Sequence, residues 1–239
     1  MSLGRFILLL WIVFHCGRAY CDPVEIRKIT IRGIDGPARN RVWGSADEQT
    51  GTGPGGKETR ETIYKDAGGR IVQKDVTTFD PTSLEVSSYL FENFISGELV
   101  ALESAGEKVR IRTRDPGEKQ EKTVDAQWKN GAAFGKLLDR WIQKNRETLA
   151  KGEYVPVELY IPSKAESYGF RLRFDKDASK GSEDIYVMEA RNWFIRLFIP
   201  RVEFWFEKEA PRRLRGIVGP YPLLHEVENQ GKQVMFAID

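Results

Sequence analysis

The sequence predicts a mainly β (α+β) fold, in which a large curved antiparallel sheet or incomplete barrel packs on one central amphipathic helix at about residues 131–151. Short runs of alternating apolar and polar residues recur along the chain, which is the pattern of half-buried strands. Turns that contain Gly, Asp or Pro separate many of these runs and favour hairpins. After the N-terminus, only one long segment has the spacing of an amphipathic helix.

The predicted helix is the segment GAAFGKLLDRWIQKNRETLAK. Its apolar residues form one stripe near helical spacing: Phe134, Leu137, Leu138, Trp141, Ile142 and Leu149. Its charged residues lie elsewhere on the helix: Lys136, Asp139, Arg140, Lys144 and Glu147. Asn130 is a suitable N-cap and Gly152 a suitable C′ residue. Because such a helix is only marginally stable alone, the stripe is expected to pack on the sheet.

Seven strands are predicted before the helix, at residues 24–34, 58–66, 70–79, 84–95, 99–104, 107–114 and 118–128. The alternation is clearest in 107–114, where Val109, Ile111 and Thr113 are separated by arginines. Turns at 67–69 and 105–106 favour two hairpins. The Gly-rich segment 44–57 is expected to be a surface loop.

Six further strands are predicted after the helix, at residues 155–161, 168–174, 184–190, 202–207, 213–218 and 233–238. The segment 192–199 fits either a helical turn or a buried strand. A hairpin between 202–207 and 213–218 would bring Glu203 and Glu207 near Arg213 and Arg215. Since the chain has no internal repeat or linker, residues 20–239 are predicted to form one domain.

Residues 1–19 have the pattern of a secretory signal peptide. Arg5 precedes an apolar run at 6–14, and the small residues Gly17 and Ala19 suit a cleavage site. The apolar run is too short to span a bilayer as a helix, so no transmembrane segment is expected in the mature chain. The predicted location is periplasmic or otherwise exported, and a retained N-terminal anchor is the alternative.

Charge and cysteine content narrow the classes of function. Residues 1–19 hold two of the 37 basic residues and no acidic residue, so their removal leaves 35 basic against 35 acidic residues. A neutral mature chain disfavours binding to nucleic acid. Cys16 and Cys21 are the only cysteines, which excludes an internal disulfide framework. Lipidation at one of them is an alternative that His15 and Tyr20, the preceding residues, disfavour.

A series of motifs runs through the centre of the chain: Trp141, Gly152-Glu153, the valine-rich 155–161, Pro162-Ser163, Tyr168-Gly169-Phe170, 192–199 and 203–207. In this order they resemble a family of uncharacterised, exported, sheet-rich bacterial proteins with a domain of unknown function. The similarity covers roughly residues 55–220 and extends more distantly to the periplasmic lipoprotein-carrier type of fold. The resemblance implies an incomplete antiparallel barrel and a location in the cell envelope, with no catalytic residues to transfer.

Motifs for catalysis, metal binding or cofactor binding are weak, so no catalytic residue, metal site or cofactor is predicted. The segment 51–59 approaches a phosphate-binding loop, but Glu58 stands where a Ser or Thr hydroxyl is needed. His225 is the only histidine after residue 19, and no nucleophile motif lies near it. Glu203 and Glu207 on one strand would lie about 13 Å apart, too far for a glycosidase pair.

Aromatic residues are concentrated near the C-terminus: Trp193, Phe194, Phe198, Phe204, Trp205 and Phe206. They fit three interpretations, namely packing in the core, lining of an apolar cavity for a lipid or acyl chain, and docking on a membrane. The candidate ligand-binding residues are Phe134, Leu138, Trp141, Trp193, Phe198, Phe204 and Trp205. Trp205 alternates with Phe204 and Phe206 and is expected near a rim, whereas Phe134, Leu138, Trp141, Phe198 and Phe204 are expected to face the interior.

The resulting hypothesis is an exported, non-enzymatic cell-envelope protein that binds a lipid or other hydrophobic ligand in a cavity between sheet and helix. An alternative is a structural or assembly partner of another envelope protein, which would use a sheet edge or the Trp205 face. A hydrolase with an acid-based site is a third hypothesis, which the residue patterns support least.

Overall fold

The computed structural model describes residues 25–34, 39, 41–128, 132–179, 181–197, 200–220 and 233–239. Fifteen strands in these ranges form one sheet. Eight precede the helical segment: β1 (Glu25–Gly33), β2 (Val42–Thr52), β3 (Glu58–Asp66), β4 (Ile71–Phe79), β5 (Val86–Asn93), β6 (Leu99–Ala105), β7 (Lys108–Arg114) and β8 (Lys122–Gln127). The other seven are β9 (Ala133–Phe134), β10 (Val155–Ile161), β11 (Glu166–Phe174), β12 (Glu183–Ala190), β13 (Val202–Glu207), β14 (Leu214–Pro220) and β15 (Gln233–Ile238). The predicted mainly β fold is confirmed.

The helical segment is shorter than the predicted 131–151. A 3-10 turn at Gly135–Leu137 leads into α1 (Leu138–Lys144) and then α2 (Arg146–Leu149). Asn145 separates the two helices, and its side-chain amide donates to the carbonyl of Trp141. Gly152 follows with φ of +81°, a left-handed conformation that glycine adopts without a Cβ clash.

The N-terminal part of the predicted helix differs most from expectation. Residues 133–134 form the short strand β9, which pairs in parallel with β10. Pairing with the sheet satisfies backbone groups that the first helical turn would leave without partners. Asn130, the predicted N-cap, lies outside the described residues.

The sheet order is β8-β7-β6-β5-β4-β3-β2-β1-β15-β14-β13-β12-β11-β10-β9. β1 and β15 pair at the centre of the sheet. From β1 the strands follow one another outward to β8, and the chain continues through the helical segment. It then returns from β10 to β15 through antiparallel neighbours. β8 and β9 are therefore the two edges of an unclosed sheet.

The sheet curves so strongly that its two edge regions approach each other. The ring of Tyr160 on β10 lies 4.7 Å from the ring of Trp128, which directly follows β8. Tyr160 also belongs to the same buried cluster as Leu102 on β6 and Ile111 on β7. The helical segment lies within this curve.

Two apolar clusters fill the concave side, and the helical segment contributes to both. Leu138, Ile142 and Leu149 pack against β10–β15 and the central strands in the larger cluster. Phe134 and Leu137 pack against β4–β7 in the other cluster. Burial of each such side chain contributes roughly 1.5–3 kcal/mol, which explains why a helical segment this short is stable.

The Gly-rich segment 44–57 is not the predicted surface loop. Most of it belongs to β2, and only the short turn Pro54–Gly56 and its neighbours leave the sheet. At Gly44, an added Cβ would lie 2.4 Å from the carbonyl oxygen of Lys65 on β3. Glycine is therefore needed here for close approach of two strands, which composition alone does not distinguish from a loop.

The predicted hairpin between residues 202–207 and 213–218 is confirmed as β13 and β14. The expected contact of Glu207 is present, since its carboxylate lies 3.4 Å from Arg215. The expectation for Glu203 is wrong, because its carboxylate instead lies 2.8 Å from Arg201. The register opposes Glu203 to Val218, two positions beyond Gly216.

Candidate ligand-binding pocket

A pocket of about 550 Å³ opens at one end of the curved sheet. The connections β2–β3, β4–β5 and β6–β7 form its outer side, and the helical segment forms its inner side. Its lining residues are Lys57, Asp80, Ser83, Leu84, Glu85, Val86, Ser87, Ser104, Gly106, Glu107, Trp128, Ala132, Ala133, Phe134, Leu137, Trp141, Lys144 and Asn145. We call this end of the sheet the mouth end.

Aromatic and aliphatic side chains line one side of the pocket. Phe134 packs edge-on against Tyr89, with 4.8 Å between ring centroids. Trp128 lies 6.2 Å from Phe134 and extends the aromatic surface toward the sheet edge. Leu137 is fully buried beneath these rings, and Trp141 is only partly buried beside them. This side therefore presents a rigid apolar wall.

The opposite side is a polar rim, ordered mainly by the β4–β5 connection. One oxygen of Asp80 accepts hydrogen bonds from the backbone amides of Thr82 and Ser83, at 2.9 and 2.7 Å. These amides lower the pKa of Asp80. The ammonium of Lys144 donates to the carbonyl of Thr82 at 2.9 Å, which connects this rim to α1. Leu84 completes the turn with φ of +66°, a strained conformation for leucine.

A buried ionic network holds the helical segment on the sheet. The guanidinium of Arg60 on β3 donates to both carboxylate oxygens of Asp139, at 2.9 and 3.0 Å, and to the carbonyl of Lys136. The ammonium of Lys136 donates to Asp75 on β4 at 2.5 Å and to the hydroxyl of Tyr64 at 3.1 Å. These contacts fix the position of the segment that carries Phe134, Leu137 and Trp141.

Asp75 is the centre of the second half of this network. The hydroxyl of Tyr89 donates to one of its oxygens at 3.1 Å, and the amide of Gln73 donates to the other at 3.2 Å. Tyr89 also packs against Phe134, so the same side chain contacts both the ionic network and the pocket wall. The network therefore helps to keep the wall in place.

Burial and ion pairing shift the pKa values within the network. Burial alone would raise the pKa of Asp139, but the charge of Arg60 reverses this effect and lowers it. Burial likewise opposes the charge on Lys136, yet the attraction of Asp75 raises the pKa of Lys136 well above its ordinary value. Burial raises the pKa of Tyr64 to about 12. Asp139 and Lys136 therefore stay charged near neutral pH, and Tyr64 stays neutral.

The seven candidate ligand-binding residues do not lie at one site. Phe134 and Trp141 line the pocket together. Leu138 and Phe204 are buried in the larger apolar cluster and are absent from the pocket lining. These two side chains face the interior as expected, but they are packed rather than arranged around open space.

Trp193 and Trp205, the other candidates that the structure describes, do not line the pocket. Trp193 is 68% exposed. Trp205 is partly buried, and its indole nitrogen donates to Glu203 at 3.2 Å. Phe198 lies outside the described residues. The ambiguous segment 192–199 contains a 3-10 turn at Ile195–Leu197 and no strand within its described part.

Sequence reasoning missed Trp128 and the ionic network. Trp128 is the last residue of the predicted strand 118–128. At that position no periodic pattern indicates that its side chain lines a pocket. The helical spacing places Lys136 and Asp139 outside the apolar stripe, and it gives no sign that they form ion pairs with the sheet. Their partners Asp75 and Arg60 lie 61 and 79 residues away in the chain, so no local pattern connects them.

Within the described ranges, no group of three or more His, Cys, Asp or Glu residues is arranged to hold a metal ion. No helix there is long and apolar enough to cross a membrane. His225 lies outside these ranges. What the pocket offers chemically is an apolar wall opposite a hydrogen-bonding rim, which suits a molecule with both apolar and polar parts.

No protein-family model matches the sequence, and no curated protein matches it at a significant level. Among solved structures, the chain is similar to a β-barrel-like protein of domain of unknown function DUF1849 from Brucella abortus. The match has a TM-score of 0.54 at 12% identity and covers 90% of this chain and 97% of that chain. This likeness concerns the fold, and it agrees with the resemblance to a sheet-rich domain of unknown function. The similarity to lipoprotein carriers stays a prediction.

Proposed function

We propose that this chain is an exported cell-envelope protein that binds a lipid or another hydrophobic ligand without catalysis. The pocket at the mouth end carries this proposal. Its volume of about 550 Å³ lies within the range of small-molecule sites, roughly 300–1,000 Å³. An aromatic wall opposite a polar rim is also the usual composition of such sites.

The two sides of the pocket define the class of ligand. The rings of Trp128, Phe134 and Trp141 would contact an apolar chain or ring. The rim, with Lys57 and Asp80, offers both charges and several hydroxyl groups to a polar head. An amphipathic molecule with one apolar chain fits this division better than a fully apolar one, whose burial would leave the rim groups without hydrogen bonds.

The proposed location rests on the N-terminal sequence. The basic start, the apolar run at 6–14 and the small residues before residue 20 support secretion. A hydrophobic ligand is also consistent with the cell envelope, where lipids are the most abundant apolar molecules.

The first experiment is mass spectrometry of organic extracts from the protein, purified from an envelope fraction without detergent. Ala132→Trp would place an indole in the pocket and should abolish recovery of the ligand. Ala67→Trp is the matched control, because Ala67 is exposed in the β3–β4 turn, away from the pocket. The control should retain the ligand.

A stoichiometric lipid or acyl species in the wild-type extract would support the proposal. A blank extract that persists after incubation with envelope lipids would refute it. A co-purifying protein without any lipid would favour the alternative function, an assembly partner of another envelope protein. In that case the exposed edge strand β8 is a candidate contact, because β-strand addition uses such edges.

A further inference from the structure

An exposed apolar loop lies in the connection between β12 and β13. Trp193, Phe194 and Leu197 are 68%, 54% and 67% exposed, although large apolar side chains normally avoid water. We call residues 193–197 the apolar loop. Single exposed apolar residues are common, but a contiguous group of them marks an interaction surface.

The loop has a defined backbone, so it presents these side chains in a fixed arrangement. The side-chain oxygen of Asn192 accepts from the amide of Phe194 at 2.9 Å. The amide of Leu197 donates to the carbonyl of Phe194 at 3.2 Å, within the 3-10 turn Ile195–Leu197. The rings of Trp193 and Phe194 meet edge-on with 5.9 Å between centroids. The exposure is therefore a property of the folded loop.

Exposed arginines flank the loop on both sides. Residues 191–201 contain three arginines and no acidic residue. Arg191 and Arg201 are 55% and 61% exposed at their side chains. Arg191 lies 3.0 Å from Glu158 on β10, and Arg201 lies 2.8 Å from Glu203 at the start of β13. Apolar and aromatic side chains between exposed arginines are typical of segments that lie in the interface of an anionic bilayer.

A second exposed apolar turn lies at the same end of the sheet. Phe94 and Ile95 in the β5–β6 connection are 53% and 42% exposed. Because the strands alternate in direction, the β5–β6 and β12–β13 connections emerge together, opposite the mouth end. β5 and β12 are separated by seven strands in the sheet order, so a flat surface is the partner that reaches both turns most simply.

We propose that this end docks on an anionic lipid bilayer. Trp193, Phe194 and Leu197 enter the interfacial region, while Arg191 and Arg201 contact the lipid phosphates. The pocket mouth then faces away from the bilayer, so membrane docking and ligand binding use separate surfaces. The docking proposal is independent of the proposed ligand.

Vesicle co-sedimentation of the full chain tests this proposal. The probes are vesicles of phosphatidylglycerol and phosphatidylethanolamine in equal parts, compared with vesicles of phosphatidylcholine. The wild type should bind the anionic vesicles roughly tenfold more tightly than the neutral ones. Trp193→Ser/Leu197→Ser should weaken binding to anionic vesicles by about tenfold or more, because less apolar surface enters the bilayer.

Two further variants test whether vesicle binding depends on where the exposed apolar side chain lies and on the charge of the two arginines. Ile26→Ser removes a side chain that is 58% exposed at the mouth end and should leave binding unchanged. Arg191→Gln/Arg201→Gln should reduce the preference for anionic vesicles. Because every variant keeps the same N-terminus, differences between them do not arise from residues 1–19.

The tryptophan emission should shift to the blue with anionic vesicles in the wild type, and this shift should be reduced in Trp193→Phe. Equal binding by the wild type and the Trp193→Ser/Leu197→Ser variant would overturn the proposal. Absence of wild-type binding to anionic vesicles would also overturn it. A blue shift caused only by a second copy of this chain or by a soluble protein would assign the loop to a protein partner instead.

Discussion

The carboxylate of Asp139 on α1 accepts two hydrogen bonds from the guanidinium of Arg60 on β3, at 2.9 and 3.0 Å. The two side chains are only 6% and 7% exposed, and 79 residues separate them in the chain. Glu48 on β2 lies 3.9 Å from the same guanidinium and adds a second negative charge. This bidentate pair fixes the helical segment at one position on the concave face of the sheet.

Asp139→Asn should destabilise the protein by roughly 3–5 kcal/mol, because it leaves the charge of Arg60 buried with its main partner removed. Urea unfolding followed by circular dichroism measures this change. The control is Asp125→Asn, which breaks the exposed Arg110–Asp125 pair of the same 2.9 Å length. We expect Asp125→Asn to change the free energy of unfolding little, because water already screens the charges of an exposed pair. Equal effects of the two variants would show that burial of the Arg60 pair has no energetic importance.

The same pair predicts a pH dependence. The pKa of Asp139 is lowered below 3.8 in the folded protein, so its ionised form stabilises folding above that pH. As the pH falls through the folded pKa of Asp139, this contribution is lost. The stability difference between wild type and Asp139→Asn should therefore be largest near neutral pH and narrow at acidic pH. Parallel urea titrations from neutral pH to below pH 3.8 would detect it, and a constant difference would contradict the assignment.

Thirteen of the fifteen strands were predictable because each has a local signal, whereas β2 lies in a segment expected to be a loop and β9 in the predicted helix. The alternation in 202–207 corresponds residue for residue to β13, and the stop at Pro162 corresponds to the end of β10. Strands half-buried on a concave face carry this period-two pattern in their own residues. The pairing of β1 with β15 has no local signal, since it depends on how the whole sheet curves.

The candidate site was less predictable for two physical reasons. First, an apolar residue looks the same in sequence whether it is packed, like Phe204, lines open space, like Trp141, or projects into water, like Trp193. Second, the ion pairs of Lys136 and Asp139 depend on counter-charges from distant strands. Only three-dimensional structure brings those charges together.

Trp141 and Ile142 are neighbours on α1 with different surroundings, and their alanine variants should differ accordingly. Ile142 is 1% exposed in the larger cluster, so Ile142→Ala should cost roughly 2–5 kcal/mol. Trp141 is partly buried and borders the pocket, so Trp141→Ala should cost less than the roughly 3–5 kcal/mol of a fully buried ring.

The effects of Trp141→Ala and Ile142→Ala on ligand binding should be in the opposite order to their effects on stability. Trp141→Ala removes part of the pocket wall and should reduce recovery of the bound molecule, whereas folded Ile142→Ala should retain it. Urea midpoints and mass spectrometry of the same preparations measure both effects. A larger stability loss for Trp141→Ala than for Ile142→Ala would place the indole in the core rather than at the pocket.

Leu84 offers a test of strain at the pocket rim. With φ of +66°, it adopts a conformation that costs an L-residue roughly 1–2 kcal/mol and costs glycine nothing. Leu84→Ala and Leu84→Gly both remove the apolar contacts of the leucine side chain. The difference between their free energies of unfolding therefore reports mainly on the backbone conformation. Leu84→Gly should be the more stable of the two by up to about 1 kcal/mol, although glycine is normally less stabilising than alanine.

The matched control is Val124, which is exposed in the edge strand β8. There the usual order should hold, so that Val124→Gly is less stable than Val124→Ala. Thermal or urea unfolding of the four variants measures both differences. If Leu84→Gly were also less stable than Leu84→Ala, the turn would not hold residue 84 in the left-handed conformation in solution. The β4–β5 connection would then order the rim through the hydrogen bonds of Asp80 alone, without a strained residue in it.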